Sequence, residues 1–426
     1  MIKRVSAGSS VDLAYGRGGL RIAVPVDADV IRPHHATVVP DPGEAVRSAF
    51  RTPSSGLPLA ELIRPGARVG ISVCDVTRPF PSRLVLSKLL EELPGRRVSV
   101  FVATGTHRAC TDEELAAMLG PDVLARVTVM QHDAFDAGAH RPLCRIPGSD
   151  TVAAIDGGFL DQDARITLGF IEPHFFAGFS GGPKMVAPGL ASIESVLELH
   201  SAARLADPRA TFGIVEGNPV HEAISAVAAA AGVDFALDVT LDGEHRITGI
   251  YAGRAFDAHQ LGCEAVRATA MTRVAVPYDI VVTTNSGYPL DQNLYQGGKG
   301  LSAAAGILRD GGSILFVSEC ADGVPAGSAY ARSLERFADP EAYLAAILGG
   351  VVREPEQWAG QMAALVRRRG RVFMHSSGLD DAEIRAAWFE PVADPSACLA
   401  SLAADYGPSC RVAILPEGPQ SIAYVG

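Results

Sequence analysis

The sequence predicts an α/β fold of two domains with a cleft between them. The chain has 426 residues, which exceeds one domain at roughly 150 residues per domain. From about Arg68 onward, short runs rich in valine and isoleucine alternate with segments of helical period, as in parallel sheets covered by helices. A long predicted helix, Phe256–Thr269, precedes a fresh series of strands. We therefore expect an amino-terminal domain of residues 1–270 and a carboxyl-terminal domain of residues 271–426.

The individual elements follow from the same patterns. Strands are predicted at short apolar runs, namely Arg68–Cys74, Val98–Thr104, Val127–His132, Arg165–Ile171, Arg273–Val276, Asp279–Thr284, Ser313–Ser318, Arg371–His375 and Arg411–Leu415. Helices are predicted where apolar residues recur with helical period, namely Ser82–Leu93, Thr111–Leu119, Ser192–Ser201, His221–Ala231, Phe256–Thr269, Leu301–Leu308, Glu356–Arg369 and Pro395–Tyr406. Asp234–Leu241 and Ile247–Ala252 flank a turn signal and predict a hairpin.

Composition excludes several classes of function. The 37 basic and 48 acidic side chains give a net charge of −11, and no basic patch is visible, so neither nucleic acid nor a membrane is expected as a partner. Arg367–Arg369 is interpreted as the last turn of a helix. The seven cysteines occur singly, which favours a reducing cytoplasm over a disulfide framework. Residues 1–19 contain no apolar core of signal-peptide length, and the sequence has no run of 18 apolar residues, so neither a signal peptide nor a membrane span is expected.

A first polar cluster, Cys74–Pro79, follows a predicted strand. Asp75 could hold a ribose diol, Thr77 could hydrogen-bond a phosphate or sugar, and Arg78 could clamp a phosphate or carboxylate through two hydrogen bonds. Alternatively, Asp75 only caps the turn. Ligands of open α/β sheets bind at the carboxyl ends of strands, and this cluster is predicted to lie there.

A second cluster, Ala103–Arg108, also follows a predicted strand. Gly105 allows a ligand to approach the backbone. The following segment begins with a capping box at Thr111, which places His107 in a loop. His107 is therefore either a solvated loop residue or part of a site.

The densest cluster spans Gly169–Lys184 and combines four glycines with four phenylalanines, a histidine and a lysine. It predicts an irregular loop folded over a flat ligand. Pro183 before Lys184 breaks the Walker A pattern, and no G-x-G-x-x-G follows a strand, so neither ordinary NTP chemistry nor bound NAD is expected.

The fourth cluster, Asn285–Gly300, follows a strand in the second domain. Gln296 and Lys299 are three residues apart, so they would share a face if the segment is helical, and could grip one carboxylate. The alternative is a solvated helix start. The remaining histidines have no clustered partner in the sequence and are expected to be structural; they are His34, His35, His132, His140, His221, His245, His259 and His375.

Together these clusters closely resemble the lactate racemase family. The match covers nearly the whole chain and consists of D-V-T-R-P, T-G-T-H-R, E-P-H-F-F-A-G-F-S-G-G-P-K with a histidine sixteen residues after the lysine, and Y-P-L-D-Q-N-L-Y-Q-G-G-K-G. The resemblance implies a racemase or epimerase that inverts C2 of a lactate-like 2-hydroxy acid by reversible hydride transfer. It leaves the particular 2-hydroxy acid open.

The resemblance also implies a cofactor, a nickel-pincer nucleotide made by dedicated biosynthesis proteins. Lys184 would carry it as a thioamide, and His200 would bind the nickel. Its ribose and phosphate side would contact the segment Asp75, Val76, Thr77 and Arg78.

The remaining roles that the resemblance implies concern the substrate. His107 and His174 match the paired acid/base residues. Five residues would bind the substrate, namely Arg78, Tyr295, Gln296, Lys299 and Trp358.

Two other hypotheses compete. In the first, His107, His174 and His200 form a three-histidine zinc site for hydrolysis. In the second, the chain is a non-catalytic carboxylate-binding protein with Arg78 and Lys299 as its clamp.

Overall fold

The computed structural model describes residues 1–33 and 36–426. These residues divide into two compact units, one of residues 36–269 and one that joins residues 1–33 to 270–426. The division near residue 270 agrees with the expected boundary, but residues 1–33 do not belong to the first domain as expected. Ala28–Ile31 pairs with Val412–Leu415, and such a long-range pairing leaves no local signal in the sequence. His34 and His35 lie outside the described residues.

The amino-terminal segment contains four strands, β1 (Ile2–Val5), β2 (Ser9–Leu13), β3 (Leu20–Val24) and β4 (Ala28–Ile31). Strands β2 and β3 pair as an antiparallel hairpin. Residues along both strands alternate between exposed and buried, and the buried set includes Leu13 and Ile22. This set packs into the core of the unit that continues at residue 270.

The unit of residues 36–269 follows in chain order. Its elements are α1 (Pro42–Arg51), α2 (Leu59–Leu62), β5 (Arg68–Cys74), α3 (Ser82–Glu92), β6 (Arg97–Ala103), α4 (Asp112–Leu119), α5 (Pro121–Leu124), β7 (Thr128–Gln131), β8 (His140–Arg145), β9 (Val152–Asp156), α6 (Gly157–Leu160), β10 (Ala164–Phe170), β11 (Pro173–His174), β12 (Gly178–Phe179), a 3-10 helix (Gly182–Met185), α7 (Ile193–Leu199), α8 (Ala202–Leu205), α9 (Pro219–Ala231), β13 (Phe235–Leu241), β14 (Ile247–Gly253) and α10 (Ala255–Ala270).

The main sheet of this unit has six strands in the order β14-β13-β10-β5-β6-β7. All neighbours are parallel except β13 and β14, which form the predicted hairpin. In β5 every residue after Arg68 is buried, as expected for a parallel strand covered on both faces. The chain lays down β5, β6 and β7 in one direction and then returns to add β10 and β13 on the other side. The strand order therefore reverses between β5 and β10, which is where open α/β sheets bind ligands.

The remainder of the chain completes the second unit. Its elements are β15 (Met271–Val274), β16 (Tyr278–Thr284), α11 (Leu294–Ala305), β17 (Leu308–Val317), α12 (Ala329–Arg336), α13 (Pro340–Leu348), α14 (Gln357–Arg369), β18 (Gly370–His375), α15 (Asp381–Ala386), β19 (Glu390–Pro391), α16 (Pro395–Tyr406), β20 (Val412–Leu415), a 3-10 helix (Gly418–Gln420) and β21 (Ile422–Val425). Its seven-stranded sheet has the order β1-β4-β20-β16-β17-β18-β19.

Most predicted elements form close to their predicted bounds, but α11 differs. It begins at Leu294, whereas the sequence predicted a helix over Leu301–Leu308. The glycines of this helix serve its packing: a Cβ at Gly300 would lie 2.1 Å from the Thr284 carbonyl oxygen. Among the described residues, no helix combines the length and the apolar character that crossing a membrane requires.

Candidate active site

Three of the four predicted clusters meet at one edge of the six-stranded sheet. They follow β5, β6 and β10, which are parallel neighbours, so their carboxyl ends lie side by side. The three clusters belong to separate stretches of the sequence. Sheet topology brings them together at the point where the strand order reverses.

Asp75 and His107 form a direct pair across the loops that follow β5 and β6. His107 Nδ1 lies 2.7 Å from Asp75 Oδ2. The other carboxylate oxygen, Oδ1, accepts from the Thr77 hydroxyl at 2.6 Å and from the Thr77 N–H at 3.2 Å. Gly105, with φ of +57°, turns the second loop, and its N–H donates to Gly189 O. Hydrogen bonds from Thr77 therefore fix Asp75, and the bond of Gly105 to Gly189 fixes the loop that carries His107.

The electrostatics of the pair keep Asp75 ionised. Burial alone would raise the pKa of Asp75, but the hydrogen bonds from His107 and Thr77 and the charges of His107 and Arg78 outweigh it and hold the pKa below its usual value. An ionised carboxylate can only accept a hydrogen bond, so the proton between the two side chains sits on His107 Nδ1. The lone pair of the neutral ring is then on Nε2.

His174 lies in a tight hairpin formed by β11 and β12, in which it pairs with Gly178. The sequence predicted no regular structure here, and these two-residue strands correct that prediction. The Nδ1 atom of His174 accepts backbone N–H groups from Phe176 at 3.1 Å and from Ala177 at 3.3 Å. Its ring stacks on Phe175 with centroids 5.0 Å apart.

Lys184 and His200 lie close to each other in the same unit. Lys184 is half-buried in the 3-10 helix, and His200 is the buried residue that ends α7. Burial lowers the pKa of His200 to about 4, with a further lowering by the charge of Lys184 against the opposing effect of a backbone hydrogen bond. The Phe176 ring makes edge contacts with both His174 and His200. One aromatic ring thus contacts both histidines.

His200 is suited to bind a transition metal. Its Nδ1 lies 3.0 Å from the Val196 carbonyl oxygen, which can only accept, so the ring proton is on Nδ1 and the lone pair is on Nε2. Neutral imidazole with this second-sphere bond is a ligand that nickel accepts. The single histidine therefore fits a metal whose other donors come from a cofactor.

A group of buried polar residues beneath the Lys184 loop was missed from the sequence. His221 and His259 stack with ring centroids 5.9 Å apart. Burial lowers the pKa of each to about 4, and the charge of Lys184 adds to the lowering. Asp238 is 1% exposed, and its Oδ1 accepts the Gly182 N–H at 3.0 Å. Because β13 lies next to β10, only the sheet order could have predicted that Asp238 supports this loop.

Two further histidines have side-chain partners that are distant in the sequence. The Nε2 atoms of His132 and His140 lie 3.0 Å apart. The Nδ1 atom of His132 lies 3.1 Å from the Thr104 hydroxyl, at the start of the His107 loop. This contact could not be predicted from the sequence, because the two histidines come from different strands and loops.

In the second unit, Gln296 and Lys299 lie on the first turns of α11, as their spacing predicted for a helical segment. Asn293 caps this helix by accepting the Gln296 N–H at 3.1 Å. A Cβ at Gly297 would lie 2.9 Å from the Phe316 ring, so the glycine face rests against the sheet. Tyr295, Gln296 and Lys299 are half-buried.

Trp358, the other predicted substrate residue of this unit, is half-buried in the first turn of α14. Helices α11 and α14 pack against each other. The packing of these helices places Trp358 in the same part of the unit as the α11 residues. The Arg367–Arg369 run ends α14, as the sequence predicted.

The geometry gives no support to the three-histidine zinc hypothesis. Among the described residues, no three histidine, cysteine or acidic side chains are grouped so that they could hold a metal ion. The Nδ1 atom of His107 is hydrogen-bonded to Asp75, and the Nδ1 atom of His174 accepts a hydrogen bond from the backbone of its own turn. A metal at this site would rely on His200 and on donors that are not protein side chains.

Comparisons with known proteins agree with this architecture. The model of the lactate racemase N-terminal domain matches residues 15–213, and that of the C-terminal domain matches residues 274–423. A lactate racemase of Thermoanaerobacterium thermosaccharolyticum is 31% identical over 420 residues, which cover 96% of this chain and 98% of that protein. A lactate racemase of Lactiplantibacillus plantarum is 32% identical over 382 residues, which cover 88% and 89%.

Comparison with solved structures also finds lactate racemase similarity. The lactate racemase apoprotein from Thermoanaerobacterium thermosaccharolyticum aligns with a TM-score of 0.89 over 97% of this chain and 100% of that one, at 31% identity. A Thermotoga maritima protein, 18% identical, shares the fold with a TM-score of 0.67 over 92% and 100% of the two chains. Fold and site together define a two-domain α/β isomerase. More particularly, the chain belongs to the lactate racemase family.

Proposed function

We propose that the protein is a racemase or epimerase that inverts C2 of a lactate-like 2-hydroxy acid by reversible hydride transfer. The observation that carries this proposal is the Asp75–His107 pair at the sheet edge that also carries His174 and the Lys184 loop. An imidazole held in one tautomer by a buried carboxylate is a general base for a hydroxyl proton. Family membership supports the same reaction class.

The cofactor in this proposal is a nickel-pincer nucleotide. Lys184 would carry it as a thioamide, His200 would bind its nickel, and the segment from Asp75 to Arg78 would contact its ribose and phosphate. When bound, this group supplies a reversible acceptor for the C2 hydrogen and its electron pair. The neutral ring of His200 and its closeness to Lys184 support the assignment.

The substrate carboxylate would be bound by Gln296 and Lys299, which share a helix face on α11. Arg78 offers a second cationic contact, and Tyr295 and Trp358 would line the pocket. His107 and His174 would act at the substrate hydroxyl. The motif positions do not identify the residues that select the side chain of the 2-hydroxy acid, so the proposed substrate class is lactate-like rather than lactate alone.

Maturation would depend on the proteins that make the nucleotide and insert the nickel. We place the enzyme in the cytoplasm, because the seven cysteines are all unpaired and a reducing compartment preserves them. Its only other partner in this proposal is the small-molecule substrate.

The test is to produce the protein together with the cofactor biosynthesis proteins. Native and denaturing mass determination, peptide mapping and nickel analysis should find a nickel-containing adduct on Lys184, and the Lys184→Ala variant should lose it. A lactate racemase charged in the same cells is the control. Absence of adduct and nickel in this chain, with a charged control, would overturn the cofactor assignment.

The reaction itself is tested with a panel of single-enantiomer 2-hydroxy acids in heavy water. Interconversion with retention of the C2 hydrogen is expected, since that hydrogen travels as hydride. Extensive deuterium uptake at C2 would indicate a carbanion instead and would refute hydride transfer.

A further inference from the structure

We infer that His221 and His259 are positioning residues for Lys184: each is a neutral imidazole of fixed tautomer that donates to a main-chain carbonyl group of residues 177–184, the Lys184 loop. The inference rests on the proposed function, because it concerns the attachment of the cofactor at Lys184. It is drawn from the hydrogen bonds, packing and burial of two rings that come from different helices, α9 and α10.

The two rings hold the loop through different ring nitrogens. His221 Nδ1 lies 3.2 Å from the Ala177 carbonyl oxygen, and His259 Nε2 lies 2.9 Å from the Ser180 carbonyl oxygen. A carbonyl oxygen can only accept a hydrogen bond, so the ring hydrogen is on Nδ1 of His221 and on Nε2 of His259. The two histidines therefore differ in tautomer, although their rings stack at an interplanar angle of 13°.

Both rings are neutral in these positions. His259 is 4% exposed, and the Cys263 sulfur packs on its ring, 3.5 Å from Nε2 and 3.7 Å from Nδ1. Burial lowers the pKa of both histidines to about 4, and the charge of Lys184 adds to the lowering. The two donors therefore hold the loop without adding positive charge near Lys184 at neutral pH.

The contact at Gly182 shows how closely the loop rests on His259. A Cβ at Gly182 would lie 2.4 Å from two carbons of the His259 ring, and Gly182 has φ of +48°. Gly182 begins the 3-10 helix that contains Lys184, and its N–H donates to Asp238 Oδ1 at 3.0 Å. The ring and the carboxylate thus fix the backbone two residues before Lys184.

Ser180 ties the other side of the loop to the sheet. Its hydroxyl donates to the Phe170 carbonyl oxygen at 2.8 Å, at the end of β10, and its N–H donates to the Glu172 carbonyl oxygen at 2.9 Å. The loop is therefore held between β10 on one side and helices α9 and α10 on the other. Formation of the proposed thioamide requires the Lys184 amine in a defined position, so loss of either imidazole donor should slow it.

Matched amide substitutions test the two tautomers. An Asn side chain can place its NH₂ group where Nδ1 of histidine lies, and a Gln side chain can place it where Nε2 lies. We expect His221→Asn and His259→Gln to hold the loop, and His221→Gln and His259→Asn to lose one hydrogen bond each. Amide hydrogen exchange of residues 177–184 in the unloaded protein should rise about fivefold in the second pair, the usual worth of one hydrogen bond, and stay within about twofold of the parent in the first.

His375→Leu is the matched control for these exchange measurements. His375 Nδ1 lies 3.0 Å from the Val392 carbonyl oxygen in the other unit, so this variant removes the same kind of bond elsewhere. It should leave the exchange of residues 177–184 unchanged. Equally fast exchange in both pairs of amide variants, or no faster exchange in the second pair, would overturn the donor roles.

Nitrogen NMR of the unloaded parent keeps the inference testable if a variant does not fold. In ¹⁵N-histidine-labelled protein, assigned by the resonance missing in each variant, His221 should be protonated at Nδ1 and His259 at Nε2. The opposite tautomer in either ring would overturn the inference.

The link to Lys184 is tested in protein produced together with the cofactor biosynthesis proteins. Early after induction, the fraction of Lys184 that carries the adduct should be about tenfold lower than in the parent for His221→Gln and His259→Asn, and close to the parent for His221→Asn and His259→Gln. Adduct fractions that do not follow loop exchange would overturn the positioning role. A parent with these tautomers and this exchange pattern but no adduct would instead refute the proposed function, while the two rings would still be supported as donors to the loop.

Discussion

Replacing Asp75 with asparagine should invert the tautomer of His107. Thr77 donates both its N–H and its hydroxyl to Asp75 Oδ1, so the oxygen of an Asn side chain must remain on that side. The amide NH₂ then faces His107 Nδ1 across the 2.7 Å contact. Nδ1 becomes an acceptor, the ring hydrogen moves to Nε2, and the base is lost. We expect kcat to fall about 10²–10⁴-fold, which corresponds to about 3–5 kcal/mol of transition-state stabilisation.

The assay is racemisation from each enantiomer, with kcat and KM determined separately on protein of equal nickel content. Glu114→Gln is the matched control, since it also converts a carboxylate to an amide and lies beside the His107 loop, where Glu114 pairs with Arg108. This control should leave kcat unchanged. A loaded Asp75→Asn enzyme with kcat within tenfold of the parent would refute the assigned role of Asp75.

Three further predictions concern stability. Burial raises the pKa of Asp238 to about 7, against an unfolded value of 3.8, so its contribution to stability is present at low pH and lost as pH rises from about 4 to about 7. Asp238→Asn should flatten that part of the stability curve, and parallel curves for variant and parent would contradict this. Gly300→Ala should lower the unfolding temperature because its Cβ meets Thr284 O, whereas Gly298→Ala, with open space, should raise stability by up to about 1 kcal/mol. Thr111→Ala removes the cap of α4 and should cost about 1 kcal/mol in denaturant unfolding.

The fold was predictable wherever its signals are local. Parallel strands such as β5 are continuous apolar runs, and the α4 capping box is confirmed by reciprocal hydrogen bonds between Thr111 and Glu114. The amino-terminal strands were not predictable, because they are short and β4 is held by pairing with β20. The start of α11 was missed for a related reason: its glycines stabilise packing against the sheet, a property that a glycine-rich sequence does not reveal.

For the site, the sequence predicts which residues take part but not how they are protonated. Both histidines could be named from sequence, yet their protonation depends on partners that the sequence does not identify. His107 meets Asp75 only because β5 and β6 are adjacent in the sheet. His174 meets its own backbone because Gly178 folds the chain back at that point. Similarity to a relative therefore transfers the identity of a catalytic residue, but not the direction of its hydrogen bonds. If a variant kept both histidines but rebuilt the His174 turn so that Nδ1 met a carbonyl oxygen, the ring hydrogen would move to Nδ1. The lone pair of that ring would then be on Nε2, with the sequence motif otherwise unchanged.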